Sequence, residues 1–313
     1  MLALLFPGQG SQRVGMGRDV CEVSPAARAV FESADAALGI PLSRVCFEGP
    51  ESELVATEVQ QPAIVATTLA LLRALEERVG TLAPGYLAGH SLGEYSALVA
   101  AGALDLGDAL RLVRARGAFM QAAVAAGSGA MAAILGAAPA MVESACARAR
   151  AETGELVEPA NYNAPEQTVI SGTARAVRAA CALAREAGAR RALELPVSAP
   201  FHCALMQPAA EQLAPELARI RFGDCRPPVV ANATVEPNGE GARVAELLRR
   251  QITEPVRFTD LVRRLRALGV TRVLEVGPAK VLSAFVARIE PALVRASLVA
   301  ADDLAAAAAF VAA

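Results

Sequence analysis

Residues 86–101 read YLAGHSLGEYSALVAA, and this stretch decides the fold. The apolar run at 86–88 predicts a strand, and residues 92–101 have the spacing of a helix. Between them lies Gly89-His90-Ser91-Leu92-Gly93, a GxSxG sequence whose glycines suit a turn too tight for side chains. Strand, turn and helix in this order indicate an α/β unit that lifts the Ser91 hydroxyl onto a helix N-terminus. The alternative is a serine that only caps a helix.

A serine nucleophile needs a base, and the sequence offers few candidates. The chain has two histidines, His90 and His202, and one lysine, Lys280. His90 adjoins Ser91, and neighbouring side chains in a sharp turn project in different directions, so His202 is the better candidate. Imidazole is the side chain best suited to take a proton from a hydroxyl near neutral pH. The alternative for His202 is a structural histidine in the core. No acidic residue between Ser91 and His202 has a spacing that marks it as the third member of a catalytic triad.

Arg116 lies on the apolar side of a predicted helix at residues 106–124. An advance of about 100° per residue places the apolar side chains on one continuous arc, and Arg116 falls inside it. Arg111 and Arg114 fall on the opposite, polar side. Because a guanidinium cannot lose its proton, a buried one needs an anion beside it. That anion is either a protein carboxylate or the carboxylate of an acidic ligand, and helical periodicity does not distinguish the two.

Apolar runs on both sides of this unit continue the α/β pattern. Residues 2–6 predict a first strand, which runs into the turn Pro7-Gly8-Gln9-Gly10, where glycine permits close approach of the backbone. Gln9 alone is either a loop residue or a polar donor to a site. Further strands are predicted at 229–231, 272–276 and 295–299, and helices at 26–38, 62–79, 204–220, 242–252, 258–268, from 279 and from 304.

A second pattern interrupts the first from residue 127 onward. Strands are predicted at 130–135, 157–161, 168–171 and 191–195, and helices at 139–151 and 174–187. The order β-α-β-β-α-β is that of ferredoxin-like domains. We therefore expect a discontinuous catalytic domain, residues 1–126 and 197–313, and a ferredoxin-like subdomain, residues 127–196. Asn161 and Asn163 lie at a strand edge of this subdomain, where we expect turn-forming asparagines.

Composition excludes several classes of protein. The 313 residues suffice for about two domains. Thirty basic residues nearly balance 32 acidic ones, for a net charge of −2, so no global field attracts nucleic acid or an anionic membrane. No uncharged run reaches the roughly 18 residues of a membrane helix. The N-terminal apolar run ends at Phe6 and is broken by Pro7-Gly8, so it predicts a strand rather than a signal peptide.

The cysteines are far apart in sequence and form no CxxC pair. This spacing argues against both a disulfide framework and a zinc site. We therefore expect reduced thiols, a cytoplasmic location and no metal. The six cysteines are Cys21, Cys46, Cys146, Cys181, Cys203 and Cys225.

Eight short motifs, taken together, resemble one family. They are FPGQGSQ at 6–12, QPA at 61–63, GHSLGEYSAL at 89–98, RG at 116–117, GAMAAI at 129–134, NYNAPEQTVISG at 161–172, PVSAPFHCALM at 196–206 and EVGP at 275–278. In this order, and over almost the whole chain, they are similar to the malonyl-CoA:acyl-carrier-protein transacylases of dissociated bacterial fatty-acid synthesis.

The resemblance implies roles for individual residues. Ser91 is implied as the nucleophile that takes malonyl from coenzyme A as an ester, and His202 as its base. The main-chain N–H groups of Gln9 and Leu92 are implied to form the oxyanion hole. Arg116 matches the arginine that pairs with the malonyl carboxylate, which decides between the two anions left open above.

Two further residues and the fold follow from the same resemblance. The family orients its histidine through a backbone carbonyl, and Gln251 in the RRQ segment matches that position, which explains why no acidic residue stood out. Phe201, before His202, resembles malonyl-selective members of the wider acyltransferase family, whereas serine there often accompanies methylmalonyl-selective members. The implied fold is an α/β-hydrolase-like core with an inserted ferredoxin-like subdomain.

The implied reaction is a ping-pong transfer of the malonyl group from malonyl-CoA to the phosphopantetheine thiol of acyl carrier protein. We expect no cofactor, and we expect the chain to be a monomer. Three alternatives differ in function. One is a serine hydrolase in which water accepts the acyl group. A second is the same chemistry in a polyketide synthase or a malonate decarboxylase. The third is a catalytically silent domain that docks carrier proteins. The carrier proteins of this pathway are acidic, so the arginines at 249, 250, 257, 263 and 264 are either a docking surface for the carrier or solvated helix faces.

Overall fold

The computed structural model describes residues 1–197 and 199–313; residue 198, within the motif at 196–206, lies outside the described residues. The strands are β1 (Leu2–Phe6), β2 (Tyr86–Gly89), β3 (Gly129–Leu135), β4 (Val157–Ala164), β5 (Gln167–Thr173), β6 (Arg191–Glu194), β7 (Val229–Val230), β8 (Pro237–Asn238), β9 (Arg272–Val276) and β10 (Val294–Leu298). The helices are α1 (Arg18–Val23), α2 (Pro25–Leu38), α3 (Leu42–Glu48), α4 (Glu51–Leu54), α5 (Thr57–Val79), α6 (Gly93–Ala100), α7 (Leu106–Ala122), α8 (Pro139–Thr153), α9 (Ala174–Glu186), α10 (Gln207–Ala218), α11 (Gly241–Gln251), α12 (Phe258–Ala267), α13 (Leu282–Ile289) and α14 (Leu304–Ala312).

The larger sheet has the strand order β10-β9-β1-β2-β7-β8. Its first five strands are parallel, and β8 pairs antiparallel with β7 at the edge. In the register of β1 against β2, Phe6 lies opposite Gly89, so the two strands end side by side. The loops that follow them, which carry Gln9 and Ser91, therefore meet at the carboxyl edge of the sheet, where ligands bind in open α/β folds.

Alternate residues of β1 face two different cores. Leu2, Leu4 and Phe6 pack into the main hydrophobic cluster, to which α2, α5 and α7 contribute. Ala3 and Leu5 pack on the other face, with α12 and α13. Burial of both faces explains why this strand is a continuous apolar run rather than an alternating one.

The smaller sheet is antiparallel, with the order β4-β5-β3-β6. Helices α8 and α9 cover one face, where Ile134 and Ile170 are buried. The other face carries Met131 and Val169, which belong to the main cluster of the large sheet. The predicted fold class is thus confirmed: a parallel-rich α/β core and a separate antiparallel unit in ferredoxin-like order. The boundaries at 126/127 and 196/197 stay a prediction.

Hydrogen bonds join the two sheets beside the GxSxG turn. Val256 N–H donates to the Ala160 carbonyl, and Tyr162 N–H donates to the Val256 carbonyl. His90 Nε2 lies 2.8 Å from Asn163 Oδ1. Asn163 therefore lies in β4 and contacts His90. The prediction that Asn161 and Asn163 form a turn is wrong, because both residues belong to the strand.

Helix α5 begins earlier than the sequence predicted. It starts at Thr57, so Pro62, expected at its N-terminus, lies inside it. Proline removes one intrahelical hydrogen bond, but packing outweighs that cost. A Cβ at Gly117 of α7 would come within 2.6 Å of the Thr57 carbonyl oxygen, so the two helices approach closely at the added turn. Within the described ranges, no helix combines the length and the apolar composition required to cross a membrane.

Candidate active site

The turn after β2 can form only with glycine at both ends. A Cβ on Gly89 would lie 1.9 Å from the Gly93 carbonyl carbon, and a Cβ on Gly93 would lie 1.9 Å from the Phe6 carbonyl oxygen. Ser91 between them has φ of 50°, in the left-handed region that non-glycine residues rarely adopt. This backbone turn, and not only helix capping, places the Ser91 hydroxyl at the start of α6.

Ser91 and His202 are in hydrogen-bonding contact. His202 Nε2 lies 2.7 Å from Ser91 Oγ, and both side chains are buried. On the other side of the ring, His202 Nδ1 lies 2.9 Å from the main-chain oxygen of Gln251, at the end of α11. A carbonyl oxygen only accepts, so Nδ1 carries the proton and Nε2 is left to accept the Ser91 proton. The pair can therefore act as nucleophile and base.

The environment keeps His202 neutral. Burial, and then the nearby charge of Arg116, lowers the pKa of its imidazole from 6.5 to about 3. Both effects disfavour the charged ring. At neutral pH the ring is therefore in the form that can accept a proton.

Arg116 is fully buried at 0% exposure, and its guanidinium points at Ser91. Nη2 donates to Ser91 Oγ at 3.0 Å and to Gln251 Oε1 at 3.1 Å, and Nη1 donates to Gln61 Oε1 at 2.9 Å. All three acceptors are uncharged. In the part of the chain that the structure describes, Nε has no hydrogen-bond partner, and no carboxylate forms a salt bridge with this guanidinium. The geometry favours a ligand carboxylate over an internal ion pair.

The glycine turn after β1 packs against the serine turn. A Cβ on Gly8 would lie 2.5 Å from the His90 carbonyl oxygen, so glycine is required for this contact. The Gln9 side chain is held on α5, with Nε2 donating to Gln60 Oε1 at 2.6 Å. Among the described residues, the main-chain N–H groups of Gln9 and Leu92 donate to no protein oxygen. Both remain able to bind an oxyanion.

A cleft of about 600 Å³ opens beside His202. Arg150 and Tyr162 line it from the smaller sheet and its helix, and Ala204 and Glu254 line it from the larger unit. Its volume is in the range of small-molecule sites, and His202, which contacts Ser91, is part of its lining. Phe201 lies next to this histidine in sequence, and its side chain packs in the main hydrophobic cluster.

The acyl transferase domain model matches residues 3–299. The chain belongs to the acyl transferase family. The match includes every residue that the structure brings together around Ser91. The match therefore covers the hydrogen-bonded group of Ser91, His202 and Arg116.

Named relatives within the acyl transferase family are similar over nearly their whole length. The malonyl CoA-acyl carrier protein transacylase of Escherichia coli K12 is 48% identical over 296 residues, covering 95% of each chain. The crystal structure of an acyl carrier protein S-malonyltransferase from Vibrio cholerae has a TM-score of 0.94 at 43% identity, covering 98% of this chain and 99% of that one. A type II PKS acyl-carrier protein in complex with its malonyl-transacylase gives a TM-score of 0.95 at 42% identity, with 98% and 99% coverage.

Sequence reasoning missed the residues that support this acyl transferase site. Asn232 holds both sides of the serine turn: its Oδ1 accepts from Ser91 N–H at 2.8 Å, and its Nδ2 donates to the Gly89 carbonyl at 2.8 Å. Glu94, next to Gly93, is buried and faces Asn232. Gln61 was quoted only as part of a motif. None of these contacts has a signal in local spacing, because their partners are distant in sequence.

Proposed function

We propose that this chain moves the malonyl group from malonyl-CoA to the phosphopantetheine thiol of acyl carrier protein, and so loads fatty-acid synthesis. The observation that carries the proposal is the position of Ser91 Oγ, 2.7 Å from His202 Nε2 and 3.0 Å from Arg116 Nη2. A nucleophile with its base and a cation for a free carboxylate suit a substrate that is both a thioester and an acid. The names of the relatives support the same activity.

In the first half-reaction, the Ser91 hydroxyl attacks the thioester carbonyl carbon while His202 Nε2 takes its proton. The carbonyl oxygen becomes an oxyanion, and we assign its stabilisation to the main-chain N–H groups of Gln9 and Leu92. One such donor contributes on the order of 10²–10³ in rate. Collapse of the intermediate breaks the C–S bond, the proton on His202 passes to the coenzyme A thiolate, and malonyl remains as an ester on Ser91.

In the second half-reaction, the carrier's phosphopantetheine thiol replaces coenzyme A in the cleft. Its proton goes to His202, its sulfur attacks the ester carbonyl, and the C–O bond to Ser91 breaks as the oxygen regains the proton. The Gln251 carbonyl holds the imidazolium that forms in each half-reaction through its bond to Nδ1. No step requires a metal or a redox cofactor.

Arg116 supplies the selectivity for malonyl in this proposal. Its Nε, which has no partner within the described chain, can donate to a carboxylate, and Nη2 can complete the fork by exchanging its bond to Ser91 Oγ for one to the same carboxylate. A hydrogen bond to a charged group contributes about 1.5–3 kcal/mol. Acetyl lacks the carboxylate and leaves the buried cation without an anion, so it is bound less well. We assign Phe201 to the packing that shapes this acyl pocket.

The partners follow from the same proposal. The donor is malonyl-CoA and the acceptor is an acyl carrier protein, as in the complex of a related malonyl-transacylase. We expect a cytoplasmic monomer that binds neither nucleic acid nor a membrane. Four of the arginines offered above as a docking surface pair with carboxylates, which supports their interpretation as solvated helix faces; the pairs are Arg249–Glu246, Arg250–Glu254, Arg263–Asp260 and Arg264–Glu236.

Intact-mass analysis after incubation with malonyl-CoA tests the proposal. We expect one malonyl group on the wild-type chain and none on Ser91→Ala. Addition of the phosphopantetheinylated carrier should discharge the ester and load the carrier thiol. Absence of the ester would contradict the mechanism and favour a silent docking domain, and release of free malonate in place of carrier loading would identify a hydrolase.

A further inference from the structure

Glu94 is a buried carboxylate that touches no reacting atom but holds two residues that do. It is 2% exposed and lies in the first turn of α6, three residues after Ser91. One of its oxygens, Oε2, accepts from Gln251 Nε2 at 2.6 Å and from Asn232 N–H at 3.1 Å. Buried charged groups in proteins are retained where they are paired or hydrogen-bonded, and these two donors satisfy that oxygen.

The first donor, Gln251, contacts all three groups proposed to react or to bind the substrate. Its side-chain Nε2 also donates to the Ser91 carbonyl at 3.1 Å, and its Oε1 accepts from Arg116 Nη2 at 3.1 Å. Its main-chain oxygen lies 2.9 Å from His202 Nδ1. The position of this one residue therefore affects the nucleophile, the base and the cation together.

The second donor, Asn232, holds the serine turn. As described above, its side chain bonds the main chain of Ser91 and of Gly89, the residue two positions earlier in the turn. Its own main-chain N–H is the group that donates to Glu94. The same carboxylate oxygen thus anchors both supports of Ser91.

The Gln251 amide has two orientations that differ by exchange of oxygen and NH₂. An oxygen acceptor at Glu94 Oε2 selects the orientation with NH₂ toward Glu94, which leaves Oε1 to face Arg116. In the other orientation, the NH₂ group would point its hydrogens at the guanidinium, which has only donors. Loss of the acceptor at position 94 would leave the Ser91 carbonyl as the one remaining acceptor described for this NH₂ group, so the selection would weaken and Arg116 would be held less firmly.

From these contacts we propose that Glu94 is a positioning residue for acyl transfer: its Oε2 fixes the Gln251 amide and the Asn232 loop, and through them Arg116 and Ser91. The inference rests on the proposed malonyl transfer. Both contacts use Glu94 as a hydrogen-bond acceptor, because the two donors converge on one oxygen.

The acceptor role predicts different acylation rates for two substitutions at position 94. Glu94→Leu has a similar volume and no acceptor, and we expect it to lower the rate of Ser91 acylation by malonyl-CoA about 10- to 100-fold, the cost of leaving buried donors without an acceptor. Glu94→Gln keeps an oxygen for the two donors, so we expect it to retain the wild-type rate within about threefold. Equal loss in both variants would overturn the acceptor role.

A double-mutant cycle with Gln251→Ala tests the route of the effect. Gln251→Ala removes the amide but keeps the main-chain oxygen that bonds His202. If Glu94 acts through that amide, Glu94→Leu should cost about tenfold less in the Gln251→Ala background than in the wild type. An identical cost in both backgrounds would refute the coupling.

Glu275→Leu is the control for loss of stability alone. Glu275 is similarly buried, but its carboxylate accepts from the main-chain N–H groups of Leu282 and Ser283 at the start of α13, and not from Gln251 or Asn232. We expect a lower midpoint of unfolding and an acylation rate per folded molecule that is unchanged. A rate loss in Glu275→Leu equal to that in Glu94→Leu would overturn the inference, as would an unchanged rate in Glu94→Leu.

If Glu94→Leu does not fold, Glu94→Asp is measured in its place, because the shorter side chain withdraws the acceptor from both donors. A wild-type rate of Ser91 acylation in Glu94→Asp would also overturn the inference. Wild-type protein is measured beside every variant. If the wild-type protein forms no malonyl ester, the proposed function itself is refuted. If the wild-type protein forms the ester normally and Glu94→Leu has no effect, only the positioning role is refuted.

Discussion

Ser91 and His202 share an unusual backbone conformation, with φ of 50° and 59°, although 111 positions separate them in the chain. Each lies in the left-handed region, which costs a residue with a Cβ about 1–2 kcal/mol. Such strain persists where the surrounding structure fixes the backbone. In this protein the close glycine contacts of the serine turn and the Asn232 side chain do so.

This strain predicts a difference between two inactive variants. Ser91→Gly and Ser91→Ala both lack the hydroxyl, but only glycine adopts a φ of 50° freely. We expect Ser91→Gly to be about 1 kcal/mol more stable than Ser91→Ala in urea denaturation. Equal stabilities, or a more stable alanine variant, would mean that the turn is not strained.

Gly93→Ala should damage the turn itself. The new Cβ would meet the Phe6 carbonyl oxygen, which lies in the central strand β1 and cannot move aside easily. We expect a loss of about 3 kcal/mol in stability and of most activity. Gly239→Ala is the matched control, because no atom lies within 4 Å of its added Cβ, and it should change neither quantity. Wild-type stability in Gly93→Ala would contradict the close contact.

Arg116→Ala should lower the preference for malonyl-CoA over acetyl-CoA more than it lowers the rate of Ser91 acylation by acetyl-CoA. Because malonyl carries a carboxylate and acetyl does not, we expect acylation of Ser91 by malonyl-CoA to fall about 10- to 100-fold more than acylation by acetyl-CoA. Arg111→Ala is on the same helix but exposed and paired with Asp108, so it should leave both rates unchanged. Equal losses for the two acyl groups would rule out the carboxylate contact.

The depressed pKa of His202 predicts a flat pH profile on the acid side. Because its pKa is about 3, the ring stays unprotonated as the pH falls through 6.5, where an ordinary histidine would lose its function as a base. We expect the rate constant of Ser91 acylation, measured by rapid quench, to vary less than about threefold between about pH 8 and about pH 5. Half-loss near pH 6.5 would show that the imidazole is not shielded as the structure indicates.

The parts of the site that local sequence encodes were predictable. Glycine spacing predicted the turn at Ser91, and helical periodicity predicted that Arg116 faces inward. Gln251 came only from the resemblance, because its contact with His202 joins two segments whose spacing is unconstrained. Asn232 and Glu94 gave no signal, since their hydrogen bonds cross 141 and 138 positions.

The same distinction holds for the fold. Alternation of strands and helices predicted both sheets apart from β8, because most of their elements are long enough to show their period; β8 has two residues. Helices α1, α3 and α4 have six, seven and four residues, too few for a periodic pattern. Helix α5 starts before Pro62, and its first turn packs against Gly117. The rule that places proline at a helix start does not take such packing between distant segments into account.

The hydrogen bonds of Val256 to β4 have a consequence for how the substrates enter. They pin the two walls of the cleft to each other, so widening it would break main-chain hydrogen bonds. A cleft that resists widening admits a slender flexible chain more readily than a folded domain. For the proposed reaction we therefore expect the carrier's globular body to remain outside while its prosthetic arm enters, after the coenzyme has left the cleft.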